Sequence, residues 1–189
     1  MYARRPGFSL NPVTGLLDGA RYVPSPNHDP RPPGSSVEVL VVHAISLPPN
    51  HFGGTEIEQF FTNRLPADAH PYFREIADRQ VSAHFLIRRS GEIVQFVPVT
   101  ERAWHAGESC CEGRTRVNDF SIGIELEGSD DVPFDDAQYG ALAELTREVM
   151  RVYPSVSAQR IYGHAAISPG RKTDPGPHFD WERYRRLCV

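Results

Sequence analysis

The sequence is poor in the features that define several common protein classes. It has three cysteines, an odd number, and two of them, Cys110 and Cys111, are adjacent. Neighbouring cysteines rarely bridge each other, and no four-cysteine metal spacing is present. Reduced thiols are therefore expected, not a disulfide framework. Apolar runs are short: none approaches the roughly 18 residues of a membrane helix. No apolar stretch of signal-peptide length follows Arg4 and Arg5. No membrane partner is expected, and the expected location is cytoplasmic. Basic charge is not in excess, since 20 Lys and Arg face 24 Asp and Glu for a net charge of −4. That balance lacks the footprint of a nucleic-acid-binding chain. Internal repeats and strong interdomain linkers are missing as well.

What is present suits one core. A chain of 189 residues with 40% hydrophobic content can bury a single sizeable interior. Residues 24–36 (PSPNHDPRPPGSS) read as an irregular surface segment separating an N-terminal extension from the first core strand. Glu38 to Ile45 (EVLVVHAI) is a nearly continuous apolar, β-branched run, the pattern of a strand buried on both faces. His84 to Arg88 and Glu92 to Val97 flank Arg89, Ser90 and Gly91, a hairpin signal. Phe120 to Leu126 reads as another strand, and Arg160 to Tyr162 as a short one. Helices are expected over Thr55 to Phe61, Pro71 to Arg79, Asp135 to Tyr153 and Asp180 to Leu187. The third has Leu142, Leu145, Val149 and Val152 at helical spacing, with Asp135 or Asp136 as N-cap. Strands interleaved with helices predict an α/β domain with a mixed sheet.

Three side chains form a candidate metal set: His43 near the end of a buried strand, His164 after a strand-like run, and Asp174 ten residues on. Two imidazoles and one carboxylate can hold a catalytic zinc ion with a fourth position open. Ligands at the C-terminal ends of strands can converge on one cleft. Blander readings stand beside this one. A single histidine in an apolar run is more often a hydrogen-bonded core residue, and Asp-Pro-Gly is an ordinary turn. Glu125, near a strand end, and Lys172, two residues before Asp174, would complete a hydrolase as base and cationic electrophile. Taken alone, Glu125 reads more readily as a surface residue of an alternating strand, and Lys172 as a solvated loop lysine like Arg171 beside it.

The ordered segments VVHAISLPP (41–49), HFGG (51–54), VSAHFLIRRSGEIVQFVP (81–98), RAWHAG (102–107), NDFSIGIELEG (118–128) and GHAAISPGRKTDPGP (163–177) closely resemble the 1,6-anhydro-N-acetylmuramyl-L-alanine amidases of peptidoglycan recycling. The resemblance is collinear from about residue 18 to the C-terminus. It implies an extension over residues 1–17 and one zinc amidase domain over 18–189. It also implies a central mixed sheet flanked by helices, as in peptidoglycan-recognition proteins. The implied zinc ligands are His43, His164 and Asp174, with Glu125 as catalytic carboxylate and Lys172 as electrophile. His84, Trp104, His105 and Arg116 are implied to lie in or beside the substrate groove. An anhydromuropeptide is the expected substrate, one Zn2+ per chain the expected cofactor, and a monomer the expected state. Two positions depart from the resembling enzymes: Ala44 stands where they have Asn, and Gln80 where they have Arg. Both positions are associated with holding the peptide. A non-catalytic binder of peptidoglycan fragments, an amidase of polymeric murein and a zinc hydrolase of unrelated amides are the competing readings.

Overall fold

The structure, a computed structural model, describes residues 7–188; the first six residues of the expected extension lie outside them. Six strands form the main sheet: β1 (Arg21–Tyr22), β2 (Val39–Ile45), β3 (Phe85–Ile87), β4 (Ile93–Gln95), β5 (Ser121–Glu127) and β6 (Ile161–Gly163). Their spatial order is β6-β2-β5-β3-β4-β1. The β3–β4 hairpin is antiparallel and every other pairing is parallel, so the sheet is mixed as expected. Five helices accompany it among the described residues: α1 (Glu56–Phe61), α2 (Pro71–Ile76), α3 (Asp136–Val152), α4 (His164–Ile167) and α5 (Trp181–Leu187).

The pleat of the two central strands decides what each face carries. Side chains alternate along a strand, so every second residue shares a face. Leu40 and Val42 of β2 and Ile122, Ile124 and Leu126 of β5 pack against Leu142, Leu145 and Val149 of α3 and Tyr184 of α5. The opposite face receives Val39, Val41 and His43 from β2, and Ser121, Gly123, Glu125 and Glu127 from β5. There Val39 and Val41 meet Val117, Phe120 and Ile167, while Leu86 and Val94 meet the aromatic residues of α1 and α2. One face is therefore a dry helix-covered core, and the other carries a polar row between two smaller apolar clusters.

Local signals set the helix ends. At α3 the Asp135 N–H donates to Gln138 Oε1 at 3.1 Å, so Asp135 is the cap. The buried Gln138 amide donates onward to the Ile87 and Glu127 carbonyls at 3.2 and 3.0 Å, tying the helix start to β3 and β5. Pro71 opens α2, where a missing N–H costs nothing. The three cysteines are free. No described helix is long and apolar enough to cross a membrane.

Two N-terminal segments pack closely into the molecule. Residues 9–17 form a two-stranded hairpin with Asp18, and Leu10 and Leu17 join the main core. Residues 24–36 are not simply a surface segment: Ser25 and Asn27 are buried. His28–Pro30 pairs with Glu101–Ala103, and Asn27 Nδ2 donates to the Val81 carbonyl at 2.8 Å. Polar side chains here satisfy buried backbone groups, an arrangement with no hydrophobic period to announce it.

Candidate metal centre and its cavity

The register of β2 against β5 places His43 directly beside Glu125, and the pleat turns both toward the face opposite α3. On the other side of β2, Gly163 of β6 pairs with Val42, so His164, the next residue, enters the same neighbourhood. Asp174 returns on a loop held by the Ala165 N–H, which donates to the Asp174 carbonyl at 2.9 Å. Gly163 has a packing reason as well. A Cβ there would stand 2.8 Å from Pro175 Cδ, in the segment that carries Asp174.

Three donor atoms converge. His43 Nδ1 and His164 Nδ1 are 3.0 Å apart, and Asp174 Oδ2 lies 3.2 Å from the first and 3.1 Å from the second. Ligands about 2.0–2.1 Å from a tetrahedral zinc ion stand about 3.3 Å from one another. The triangle matches one face of such a polyhedron. The far ring nitrogens are occupied within the protein: His43 Nε2 meets His105 Nδ1 at 2.9 Å, and His164 Nε2 meets the Ala106 carbonyl at 3.1 Å. Both rings thus have Nδ1 free for a metal, and the residues fit zinc.

Charge and burial sharpen the site. Burial opposes the Asp174 carboxylate, but hydrogen bonds from His164 and His43 prevail and hold it well below the usual range. Burial pushes His43 down to about 4 against the pull of Asp174. Glu125 is held well above the usual carboxylic range, first by burial and then by the negative Asp174, with Lys172 opposing. Its Oε2 is buried without a hydrogen-bond partner. A carboxylate oxygen is seldom left so unless it faces a ligand or water.

His164, Asp174, Glu125 and Lys172 line one cavity of about 240 Å³, whose walls also include Phe60, Phe61 and Tyr72. A larger depression of about 410 Å³ beside Trp181 contains no carboxylate or histidine and offers no comparable chemistry. Lys172 is exposed on the cavity rim. Trp104 and His105 line the cavity too, and Trp104 Nε1 donates to Asp29 Oδ1 at 3.2 Å.

Two side chains expected in or beside the substrate groove do not line this cavity. His84 is completely buried. Its Nδ1 accepts from the Gly123 N–H at 3.0 Å, and its Nε2 faces Arg31 and the Glu101 carbonyl at 3.2 and 3.1 Å. Burial, helped by Arg31, pushes it down to about 3, so it is a neutral core residue. Arg116 has a side chain 69% exposed, paired with Asp119 at 3.1 Å, and it is not part of the cavity wall. The sequence reading also missed Arg31, which donates to the Ser121, Asn118 and Asp119 carbonyls at 2.9, 3.2 and 3.2 Å. Its neighbours in sequence gave no sign of this, because all its partners lie far along the chain.

Known proteins give the geometry a family. Residues 33–177 match the family described as N-acetylmuramoyl-L-alanine amidase. The 1,6-anhydro-N-acetylmuramyl-L-alanine amidase AmpD of Salmonella typhimurium is 57% identical over 178 residues, which is 94% of this chain and 95% of that protein. A crystal structure of a Se-Met AmpD derivative superposes with a TM-score of 0.91 at 55% identity, covering 93% of this chain and 98% of that one. The Escherichia coli amidase AmiD, in complex with anhydro-N-acetylmuramic acid-L-Ala-D-gamma-Glu-L-Lys, gives a TM-score of 0.59 at 31% identity. That match covers 98% of this chain and 67% of the other. With a donor triangle, a buried carboxylate and these likenesses together, the chain belongs to the N-acetylmuramoyl-L-alanine amidase family.

Proposed function

We propose that this chain hydrolyses the amide between the lactyl group of a 1,6-anhydro-N-acetylmuramyl sugar and L-alanine, using zinc held by His43, His164 and Asp174. The observation that carries this reading is the triangle of three donor atoms 3.0–3.2 Å apart, next to a buried carboxylate oxygen with no partner. Named relatives acting on anhydromuramyl peptides support the substrate class. The same likeness supports a recycling role, which we place in the cytoplasm.

An amide resists water because its resonance must be broken and its nitrogen must leave protonated. Zinc held by His43, His164 and Asp174 would supply Lewis acidity toward water and the scissile carbonyl. The protein supplies the rest. Glu125, which lines the cavity beside the triangle, can take a proton from the attacking water and deliver it to the departing alanine nitrogen. Lys172 on the rim meets the negative charge that develops on the carbonyl oxygen, an interaction strongest in the transition state. Trp104 offers an apolar face for the sugar's C–H surface. Arg116, outside the cavity wall, would meet only a ligand that extends beyond it. Ala44 lines the cavity with a methyl group and cannot hydrogen-bond a peptide through its side chain, whereas Arg79, next to Gln80, does line it. This arrangement supports a hold on the stem peptide different from that of the resembling enzymes.

The test is product analysis by mass spectrometry on two substrates, a soluble anhydromuramyl tripeptide and intact murein sacculi. Free tripeptide released from the soluble substrate, with little from sacculi, is the expected result. Zinc-loaded protein that binds the soluble fragment without cleaving it would favour the binding-module reading.

A further inference from the structure

Because His43 and His164 both present Nδ1 to the donor triangle, each ring must be oriented through its Nε2. The two groups that receive these nitrogens are consecutive in sequence: His105 Nδ1 at 2.9 Å and the Ala106 carbonyl at 3.1 Å. The N–H groups of the same two residues donate to a single atom, Asn118 Oδ1, at 3.2 and 2.8 Å. Arg171 Nη2 donates to the Ala106 carbonyl at 2.7 Å, filling its second lone pair. Beneath the His105 ring lies Gly123, in the middle of β5, where a Cβ would stand 2.3 Å from the ring. Strand interiors ordinarily disfavour glycine, and here it makes room for that imidazole.

We propose that Asn118, His105 and Ala106 form one brace that fixes both metal-ligand histidines, with His105 as the positioning residue for His43. The inference rests on the zinc reading above and assigns His105 a role distinct from substrate contact. It also fixes every proton in the chain. With Nδ1 of His43 toward the metal, its hydrogen is on Nε2 and is donated to His105 Nδ1. The hydrogen of His105 is then on Nε2, which donates to Ser121 Oγ at 3.0 Å. His164 likewise carries its hydrogen on Nε2 and donates it to Ala106. One side-chain amide outside the ligand set therefore controls the orientation of two of the three ligands.

Zinc affinity, measured by competition with a chromophoric chelator, tests this without recourse to turnover. Asn118→Ala and His105→Ala are each expected to weaken zinc binding about 10- to 100-fold. Asn118→Asp, which keeps an acceptor oxygen, is expected to remain within a few-fold of wild type. Wild-type affinity in Asn118→Ala overturns the brace, and so does an Asn118→Asp protein as weak as the alanine variant. Should Asn118→Ala fail to fold, Gly123→Ala, whose Cβ meets the His105 ring first, is expected to weaken zinc in the same way; unchanged affinity there also overturns the proposal. A wild-type protein that takes up no zinc is a separate result, and it removes the metal reading and the brace together.

Discussion

A carboxylate inside a protein needs a cation, hydrogen-bond donors or water, and Glu125 Oε2 has no hydrogen-bond partner within the protein. Burial and the neighbouring Asp174 raise its proton affinity, which suits an acid–base group. Glu125→Gln keeps the shape and removes the titration. It is expected to bind zinc like wild type while turnover falls about 10²- to 10⁴-fold. Metal analysis beside steady-state kinetics checks both halves, and joint loss of zinc and activity would make Glu125 a ligand. At this scale the convergence of His43, His164 and Asp174 was legible mainly through the resemblance, since only the two histidines adjoin strand-like runs and Asp174 lies in an Asp-Pro-Gly turn. The roles of the other histidines were not. His84 and His105 lie in similar motifs, yet one is a sealed core residue and the other borders the cavity. That difference depends on packing partners drawn from distant segments.

Between residues and the whole lie the strands and helices, and here the sequence was most readable. The apolar run of β2 and the helical spacing in α3 place those elements within a residue or two of where they stand. What periodicity cannot supply is register: that His43 pairs with Glu125 follows only from the alignment of two strands about 80 residues apart in sequence. The short segments were the least legible, since Ser25, Asn27 and Arg31 act through backbone carbonyls and leave no hydrophobic pattern. The division of labour between the sheet faces gives a clear expectation. Leu145 of α3 is wholly buried on the face away from the metal site. Leu145→Ala should cost about 2–5 kcal/mol of stability while folded protein keeps its zinc affinity. Urea unfolding and chelator competition measure the two, and a weakened metal site in fully folded protein would mean the faces are coupled.

Across the whole molecule, buried neutral histidines make stability depend on pH. Free histidine titrates near 6.5, whereas burial pushes His84 down to about 3. Between those values the unfolded chain binds a proton that the folded chain refuses, so stability must fall as pH is lowered through that window. Each such group contributes a slope of at most about 1.4 kcal/mol per pH unit. Removing the imidazole in His84→Asn should flatten the dependence of the metal-free protein by up to that amount, read by urea unfolding from neutrality into mild acid. An unchanged slope would mean that His84 is not neutral in the fold.

Beyond the fold shared with amidases stands the proposed metal-dependent chemistry at the His43–His164–Asp174 triangle. The most direct measurement is a zinc titration of chelated protein, followed by release of free peptide from anhydromuramyl tripeptide. Activity is expected to be absent at the start, to rise in proportion to added zinc and to level off at about one ion per chain. Full activity in chelated protein stripped of zinc, or a plateau reached with His43→Ala as readily as with wild type, would contradict it.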